Sequence, residues 1–355
     1  MSTESKFKIA IVGEAWGEDE AAWKLPFVGP SGKQLDSILE DAGILRKDCF
    51  LTNVFNFRPA DAAKLVTSNP NDLSHVCGSK GDPDVAPGLQ PLIPGKYLKR
   101  EYAGEIDRLC AELTECRPNV AILLGNTACW ALLERQAVSK IRGTACLSSR
   151  LPWLKCIPTY HPAAVLRQYD LRHVTVMDFI KSKRERDFPD LRRPVRYVHV
   201  AETLDDIRGF KQSYLDGARR VAFDVETDRR AQITCICFAA SIDRVLVIPF
   251  VDQRQPKGNY WSSLEDELCA WDIVAAILAG PAEKVGQNGM YDMTYAWQQY
   301  GMPVHNYAHD TMLLHHALQP ESDKGLGFLG SVYTNEASWK ADRPRGSDPT
   351  IKKDD

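Results

Sequence analysis

Short apolar runs alternate with amphipathic segments along the first half of the chain. Strands are predicted where apolar residues cluster, at residues 7–12, 49–54, 119–124 and 153–159. Helices are predicted where apolar residues recur every three or four positions, at residues 33–42, 101–114 and 128–135. Strands that alternate with helices are typical of an α/β domain built on a parallel sheet. Residues 59–94, rich in Pro, Gly, Asp and Ser, interrupt the pattern and are predicted to form a long surface loop.

The second half of the chain follows a different pattern. Strands are predicted at residues 197–200, 220–225, 233–239, 245–250 and 284–287, and helices at residues 204–215, 264–278 and 291–300. Successive strands followed by alternating helices and strands favour a mixed sheet. The chain is therefore expected to hold two α/β domains, residues 1–185 and residues 197–355, joined by a linker at residues 186–196.

A run of positive charge marks the junction between the two patterns. Residues 181–196 carry seven Lys and Arg side chains and two prolines. Charge runs of this kind are usually solvated, so a solvated linker is the favoured interpretation. A strap that contacts DNA is the alternative.

Composition limits the kinds of partner. The 355 residues hold 44 Lys and Arg against 47 Asp and Glu, a formal net charge of -3. Any contact with nucleic acid must then come from local patches. The ten cysteines include no C-x-x-C pair and lie mostly in apolar runs, which predicts buried, reduced thiols in an intracellular protein. No leader or membrane span is predicted, so the protein is expected to be cytoplasmic and to have no membrane partner.

Carboxylates form the candidate chemistry of the second half. Asp224 and Glu226 lie on a predicted strand, where period-two alternation puts them on one face. Like charges side by side favour a cation between them, and Mg²⁺ or Mn²⁺ prefers such oxygen ligands. Asp292, at a predicted junction of a strand and a helix, is the next candidate ligand. The alternative is an ordinary Asp-x-Glu on a strand surface.

At these residues the chain resembles the DEDD exonucleases, in the form fused to family A DNA polymerases of phage type. Asp224 and Glu226 match the first motif, and Asn288 with Asp292 matches the Asn-x-x-x-Asp second motif. The resemblance covers about residues 195–340. It implies a ribonuclease H-like fold, 3′-5′ exonuclease activity, metal binding and catalysis by the three acids, and a DNA contact at Asn288. The third motif, Tyr-x-x-x-Asp, has no match after Asp310, so the domain is expected to be incomplete and its hydrolysis weak.

Polar and aromatic residues follow the predicted strands of the first half. Glu14 ends the first strand, Asn53 ends the second, and His161 follows the last. Phe27 stands in a glycine-rich loop, which lacks the spacing of a Walker phosphate loop. An extruded base needs an aromatic surface and an amide that reads its edge, and a neutral His can stabilise the departing base. A lone His at a strand end is equally compatible with a structural role.

This arrangement resembles the uracil-DNA glycosylase superfamily, most nearly its family-four branch, over about residues 7–180. The resemblance implies a parallel-sheet three-layer fold, catalysis by Glu14 and His161, and base binding by Phe27 and Asn53. It also implies DNA contacts at Ser31 and at a wedge loop that contains Leu166 and Arg167.

The first half departs from the family-four pattern at several positions. Phe57 stands where a cluster-binding cysteine is expected, so no iron-sulfur cluster is predicted. Trp16 replaces a proline, and Ala163 replaces the serine that usually follows His-Pro. Ala15 occupies the position where other branches keep a water-activating Asp.

Three functions are compatible with these features. The favoured one is a DNA replication and repair protein that removes uracil and trims 3′ ends, encoded by a phage and acting in the bacterial cytoplasm. Its partners are then uracil-containing or single-stranded DNA and a DNA polymerase domain or subunit. The alternatives are a non-catalytic module that docks a polymerase on DNA, and a hydrolase with a flavodoxin-like sheet that does not act on DNA.

Overall fold

The chain folds into two units. The computed structural model describes residues 7–136, 138–228, 232–255 and 258–336. Of the described residues, 7–192 and 327–336 belong to the first unit and 193–326 to the second. The second domain was predicted to extend from residue 197 to residue 355, whereas residues 327–336 cluster with the first unit.

A parallel sheet forms the centre of the first unit. The strands of the unit are β1 (Ile9–Ala15), β2 (Cys49–Phe55), β3 (Cys77–Ser79), β4 (Lys96–Leu98), β5 (Val120–Leu124), β6 (Cys146–Leu147) and β7 (Lys155–Thr159). Five strands form the sheet in the order β2-β1-β5-β7-β6, and only the β6–β7 pair is antiparallel. Strands β3 and β4 pair separately. Every residue of β5 and β7 is buried, as parallel strands covered on both faces should be.

Helices cover both faces of this sheet. They are α1 (Glu18–Trp23), α2 (Pro30–Ala42), α3 (Pro59–Ala62), α4 (Gly104–Cys116), α5 (Gly125–Leu133), α6 (Val138–Ile141), α7 (Pro162–Arg167) and α8 (Leu171–Glu185). Alternate residues of β1 enter two different cores: Ala10 and Val12 pack with residues of α4 and α5, and Ile9 and Ile11 with residues of α2 and α8. The predicted three-layer α/β fold is confirmed.

The stretch predicted as a long loop has structure of its own. It contains α3, a 3₁₀ turn at Leu73–Val76 and the β3 strand of the β3–β4 hairpin. Leu73, Val76 and Leu92 within it are buried in the larger core. The prediction of a surface loop was wrong because these widely spaced apolar residues lie among turn-forming ones and show no helical or strand period.

The start of the basic run is also folded. Helix α8 extends to Glu185, and Lys181 and Glu185 are buried. The ammonium group of Lys181 donates to the backbone oxygens of Gly143 and Ser331, each at 2.7 Å. Lys155, fully buried, pairs with Glu185 at 2.7 Å. A solvated linker therefore does not describe residues 181–185, where the charges of Lys181 and Glu185 are satisfied inside the unit.

A mixed sheet forms the second unit. Its strands are β8 (Tyr197–Val200), β9 (Arg220–Thr227), β10 (Ile233–Ala239), β11 (Arg244–Pro249), β12 (Glu283–Gly286) and β13 (Tyr307–Asp310), in the order β13-β12-β9-β10-β11-β8. Strand β10 is antiparallel to both its neighbours, while the other pairs are parallel. The predicted mixed sheet is confirmed, and β13 was not predicted.

Helices complete this unit. They are α9 (Leu204–Phe210), which continues into a π-helical turn at Lys211–Leu215, α10 (Leu264–Ala279), α11 (Met290–Tyr300) and α12 (Thr311–Leu318). A last helix, α13 (Leu326–Tyr333), begins where the second unit ends. None of the helices in the described part of the chain is long and apolar enough to cross a bilayer.

A buried ion pair links Arg142, which directly follows α6, to Asp178 of α8. Arg142 donates through Nε to Asp178 at 2.9 Å, and its Nη2 also contacts this carboxylate. Thr159 donates to Asp178 at 2.7 Å, and Arg142 reaches the hydroxyl of Ser331 at 3.2 Å. Because both charges are removed from water, the pair is satisfied only while all its partners remain in place.

We expect Asp178→Ala to destabilise the first unit by about 3–5 kcal/mol, because it leaves the Arg142 guanidinium buried without a carboxylate. The matched control is Asp41→Ala, which breaks the exposed pair with Arg172 and should cost less than about 1 kcal/mol. Urea denaturation of both variants measures the difference. Equal losses would contradict the structural role of the buried pair.

Candidate functional site

The predicted residues of the first unit meet at one edge of its sheet. Glu14 lies at the end of β1, Asn53 near the end of β2, and His161 two residues after β7. Gly13 pairs with Asn53 across the two strands. The parallel strands present their carboxyl ends at the same edge, which is where α/β sheets bind ligands.

Gly13 brings two of these side chains together. A Cβ atom at this position would lie 2.2 Å from Oδ1 of Asn53 and 2.5 Å from Cζ of Phe27. Both side chains therefore pack against the bare backbone, and no larger residue fits without moving them. The Phe27 ring lies 6.2 Å from the His161 ring, measured between centroids. Phe27, Asn53 and His161 thus form one cluster.

The imidazole of His161 has a fixed tautomer. The backbone N–H of Ala163 donates to its Nδ1 at 3.1 Å, where His161 caps α7. In the neutral ring the proton then lies on Nε2, which is a donor. Burial lowers the pKa of His161 to about 4, and the positive charge of Arg167 acts in the same direction. At neutral pH the imidazole is therefore uncharged. Among the described residues, none accepts a hydrogen bond from its Nε2–H.

Glu14 is held by a neighbour that the sequence did not reveal. The hydroxyl of Thr127, in the first turn of α5, donates to Oε2 of Glu14 at 2.5 Å. Burial raises the pKa of Glu14, while the Thr127 hydrogen bond and the charge of Arg167 oppose this rise. The carboxylate therefore stays closer to its protonated form than an exposed one.

Asn53 keeps its side-chain amide available. The residue is 2% exposed, and its backbone oxygen accepts from Nη2 of Arg108 at 2.8 Å. Among the residues that the structure describes, none forms a hydrogen bond with its side-chain amide. A buried amide without an internal partner is suited to a polar ligand, which would satisfy it.

The predicted DNA contacts lie around this cluster on separate elements. Ser31 is half-buried in the first turn of α2. Leu166 and Arg167 are exposed in the last turn of α7, which begins directly after His161. Arg167 is close enough to influence the pKa of both Glu14 and His161.

In the second unit, the three predicted acids lie on β9 and on α11, which contacts it. Burial alternates along this strand, so Asp224 and Glu226 share the more exposed face. Asp292, on α11, accepts a hydrogen bond from the backbone N–H of Val225 at 3.1 Å. Burial and then the charge of Asp224 raise the pKa of Asp292 to about 6. Burial and then Glu226 raise the pKa of Asp224, so the three carboxylates repel one another.

Asn288 belongs to the turn that starts α11. Its backbone N–H donates to Asp310 at 3.1 Å, and that of Gly289 at 2.9 Å. The hydroxyl of Tyr307 donates to the same carboxylate at 2.8 Å. Burial alone would raise the pKa of Asp310, but these hydrogen bonds outweigh it and lower the pKa. Asp310 thereby fixes the turn that presents Asp292.

Two cysteines lie beside the acidic face. Cys235 and Cys237 on β10 pair with Glu226 and Asp224 across the antiparallel strands, and both are half-buried. Paired residues in antiparallel strands point to the same face. The sequence pattern predicted buried thiols, but these two lie on the more exposed face of the sheet. Their apolar neighbours Ile236 and Phe238 face the buried side.

The arrangement of the acids does not fit the predicted metal site. Carboxylate oxygens suit Mg²⁺ or Mn²⁺. Within the described ranges, however, no three His, Cys, Asp or Glu side chains are arranged to hold a metal ion. No reaction step is therefore assigned to a metal at Asp224, Glu226 and Asp292.

Curated relatives match the first half of the chain. A type-4 uracil-DNA glycosylase from Archaeoglobus fulgidus is 32% identical over 184 residues, which are 50% of this chain and 75% of the relative. One from Thermotoga maritima is 30% identical over 183 residues, covering 50% and 76%. Among solved structures, the EXO domain of Aedes aegypti Nibbler matches at a TM-score of 0.30 and 16% identity, over 44% of this chain and 77% of that domain. A TM-score this low says nothing about activity.

We expect the imidazole of His161 to remain neutral down to about pH 4, with its proton on Nε2. Long-range ¹H–¹⁵N NMR of the ring nitrogens reports both protonation and tautomer. The exposed His173, in the same unit, gives the reference signals of a solvent-accessible ring. Titration of His161 near 6.5, or a proton on Nδ1, would contradict the environment described above.

The family itself is shown by the sequence match to a family model. The model of the uracil DNA glycosylase superfamily matches residues 2–185. This range includes the whole parallel sheet and the cluster of Glu14, Phe27, Asn53 and His161 at its edge. The chain therefore belongs to the uracil DNA glycosylase superfamily.

Proposed function

We propose that the first unit excises uracil from DNA by hydrolysing the bond between the base and the sugar. The observation that carries this proposal is the partly buried, neutral His161: its Nδ1 accepts from Ala163, which leaves Nε2–H as a donor on a ring that lies 6.2 Å from the Phe27 ring. Curated relatives that match this half of the chain are type-4 uracil-DNA glycosylases. The proposed substrate is uracil-containing DNA.

Base recognition is assigned to Phe27 and Asn53. The base leaves the DNA stack and lies against the Phe27 ring, as in other enzymes that act on extruded bases. The free amide of Asn53 has one acceptor and two donor hydrogens. It can accept from N3–H of uracil and donate to O4. Satisfying this buried amide then favours uracil over a base with a different edge.

Bond cleavage is assigned to His161 and Glu14. When the bond between C1′ and N1 breaks, its electron pair goes to the base, and Nε2–H of His161 donates to the anionic uracil oxygen. Water adds to C1′, and the Glu14 carboxylate accepts a proton from that water. The raised pKa of Glu14 makes it a better proton acceptor than an exposed carboxylate.

DNA contacts are assigned to residues around the cluster. Ser31, in the first turn of α2, can offer its hydroxyl and backbone N–H to a phosphate. Leu166 is 53% exposed and is suited to fill the space that the extruded base leaves. Arg167, next to it, supplies a positive charge for the DNA backbone.

We expect His161→Ala to slow uracil release by about 100-fold or more, because the leaving base loses its hydrogen-bond donor. Glu14→Ala should also lower the rate. The assay measures alkali-labile sites in a labelled single-stranded oligonucleotide with one uracil. His173→Ala, which changes an exposed His of the same unit, is the control. DNA binding without any uracil release by the unmodified chain would instead support the non-catalytic docking module.

A second candidate function is 3′-5′ trimming of DNA by the second unit. It is favoured by the placement of three acids: Asp224 and Glu226 share one face of β9, and Asp292 accepts a hydrogen bond from the backbone of the same strand at Val225. The residues as placed do not form a metal site, so low activity is expected. A polymerase partner and a phage-encoded, cytoplasmic setting extend this proposal, and their support is the sequence resemblance of residues 195–340.

If the second unit trims DNA through these acids, digestion of a 3′-labelled single strand should fall at least about 100-fold in Asp224→Ala, and a chelator tests whether an added divalent cation takes part. Asp243→Ala changes an exposed acid in the same unit and should have no effect. Gel analysis of product lengths with and without a chelator measures the activity. Digestion that survives Asp224→Ala would remove this acid from the proposal.

A further inference from the structure

We propose that Glu20 is a positioning residue for uracil excision, acting through Phe27; this inference rests on the proposed function. Glu20 is 8% exposed, and its carboxylate accepts three backbone hydrogen bonds. Oε1 accepts from Val28 at 3.0 Å and from Gly29 at 2.9 Å, and Oε2 accepts from Gly17 at 3.1 Å. A buried carboxylate with these partners holds two loops together.

The first of these loops keeps Phe27 in an unfavourable backbone conformation. Phe27 has a φ of 57°, in the left-handed region that bulky residues rarely adopt. Such a conformation persists only where the surrounding structure holds it. Nη2 of Arg46 donates to the backbone oxygen of Phe27 at 2.9 Å and contacts that of Pro26 at 3.3 Å.

Glu20 and Arg46 act on the same peptide group from opposite sides. Arg46 binds the carbonyl of the peptide between Phe27 and Val28, and Glu20 binds its N–H. Gly32 lies directly against this carbonyl, since a Cβ there would be 1.9 Å from the oxygen. The orientation of the Phe27 ring is thus set by groups that never touch a base.

The second loop connects Glu20 to the catalytic strand. Gly17 follows β1, three residues after Glu14, and its N–H donates to Glu20. A Cβ at Gly17 would approach Oε2 of Glu20 to 2.7 Å. One buried carboxylate therefore ties the loop with the stacking ring to the loop that follows the catalytic carboxylate.

Positioning of this kind should affect chemistry more than binding. Displacement of about 1 Å can cost up to 100-fold in rate. In Glu20→Gln the amide NH₂ faces backbone N–H groups, so at least one of the three hydrogen bonds is lost. We expect the single-turnover rate of uracil release to fall about tenfold, with DNA affinity changed less than about twofold. Glu18→Gln, an exposed acid of the same helix, should leave both unchanged.

A double-mutant cycle separates positioning from a general loss of stability. If Glu20 acts through Phe27, Glu20→Gln should slow the Phe27→Ala variant by less than about twofold. Should Glu20→Gln fail to fold, Arg46→Lys enters the same cycle from the carbonyl side. If the unmodified chain is active and the rate losses of Glu20→Gln and Phe27→Ala multiply in the double mutant, the positioning role is wrong while the proposed function stands. A parent that releases no uracil overturns the proposed function, and this inference with it.

Discussion

The hydrogen bond from Ala163 N–H to Nδ1 of His161 is the constraint on which the candidate site depends. It fixes the tautomer of the ring and directs Nε2–H away from the α7 backbone. The same helix start places Pro162 in its first turn, where the missing N–H costs nothing. The same hydrogen bond therefore caps the short helix α7 and fixes Nε2–H of His161 as a donor. The serine that usually follows His-Pro is Ala163 here, and its backbone alone supplies the contact.

Burial has opposite consequences for the two groups that we assign to catalysis. It lowers the pKa of His161 and raises that of Glu14, so both are pushed towards their neutral forms. The charge of Arg167 lowers the pKa of both groups. It therefore favours the neutral form of His161 but the charged form of Glu14. Between about pH 6.5 and 4 the unfolded chain binds a proton at His161 that the folded chain does not, so this residue weakens folding as the pH falls.

The sequence was sufficient to predict features that depend on short-range patterns. Apolar runs located the parallel strands, and the order of strands and helices gave both sheet types. Long-range support could not be predicted in the same way. Glu20, Arg46 and Asp178 act on residues outside their own helix or turn, and no short-range pattern identifies such partners. The one available signal was Glu20 itself, three residues after the glycine that precedes α1, at the position that a capping-box carboxylate occupies.

The second unit shows why motif residues alone do not make a site. Asp224, Glu226 and Asp292 come together as their spacing suggested, yet they interact with one another by repulsion. The carboxylate of Asp310 accepts hydrogen bonds from the backbone N–H groups of Asn288 and Gly289. It therefore stabilises this turn and does not join the three acids as a further candidate metal ligand. The face of β9 therefore lacks an opposing charge among its described neighbours on β10, which contributes the thiols of Cys235 and Cys237. Activity at this face requires positive charge from outside these two strands.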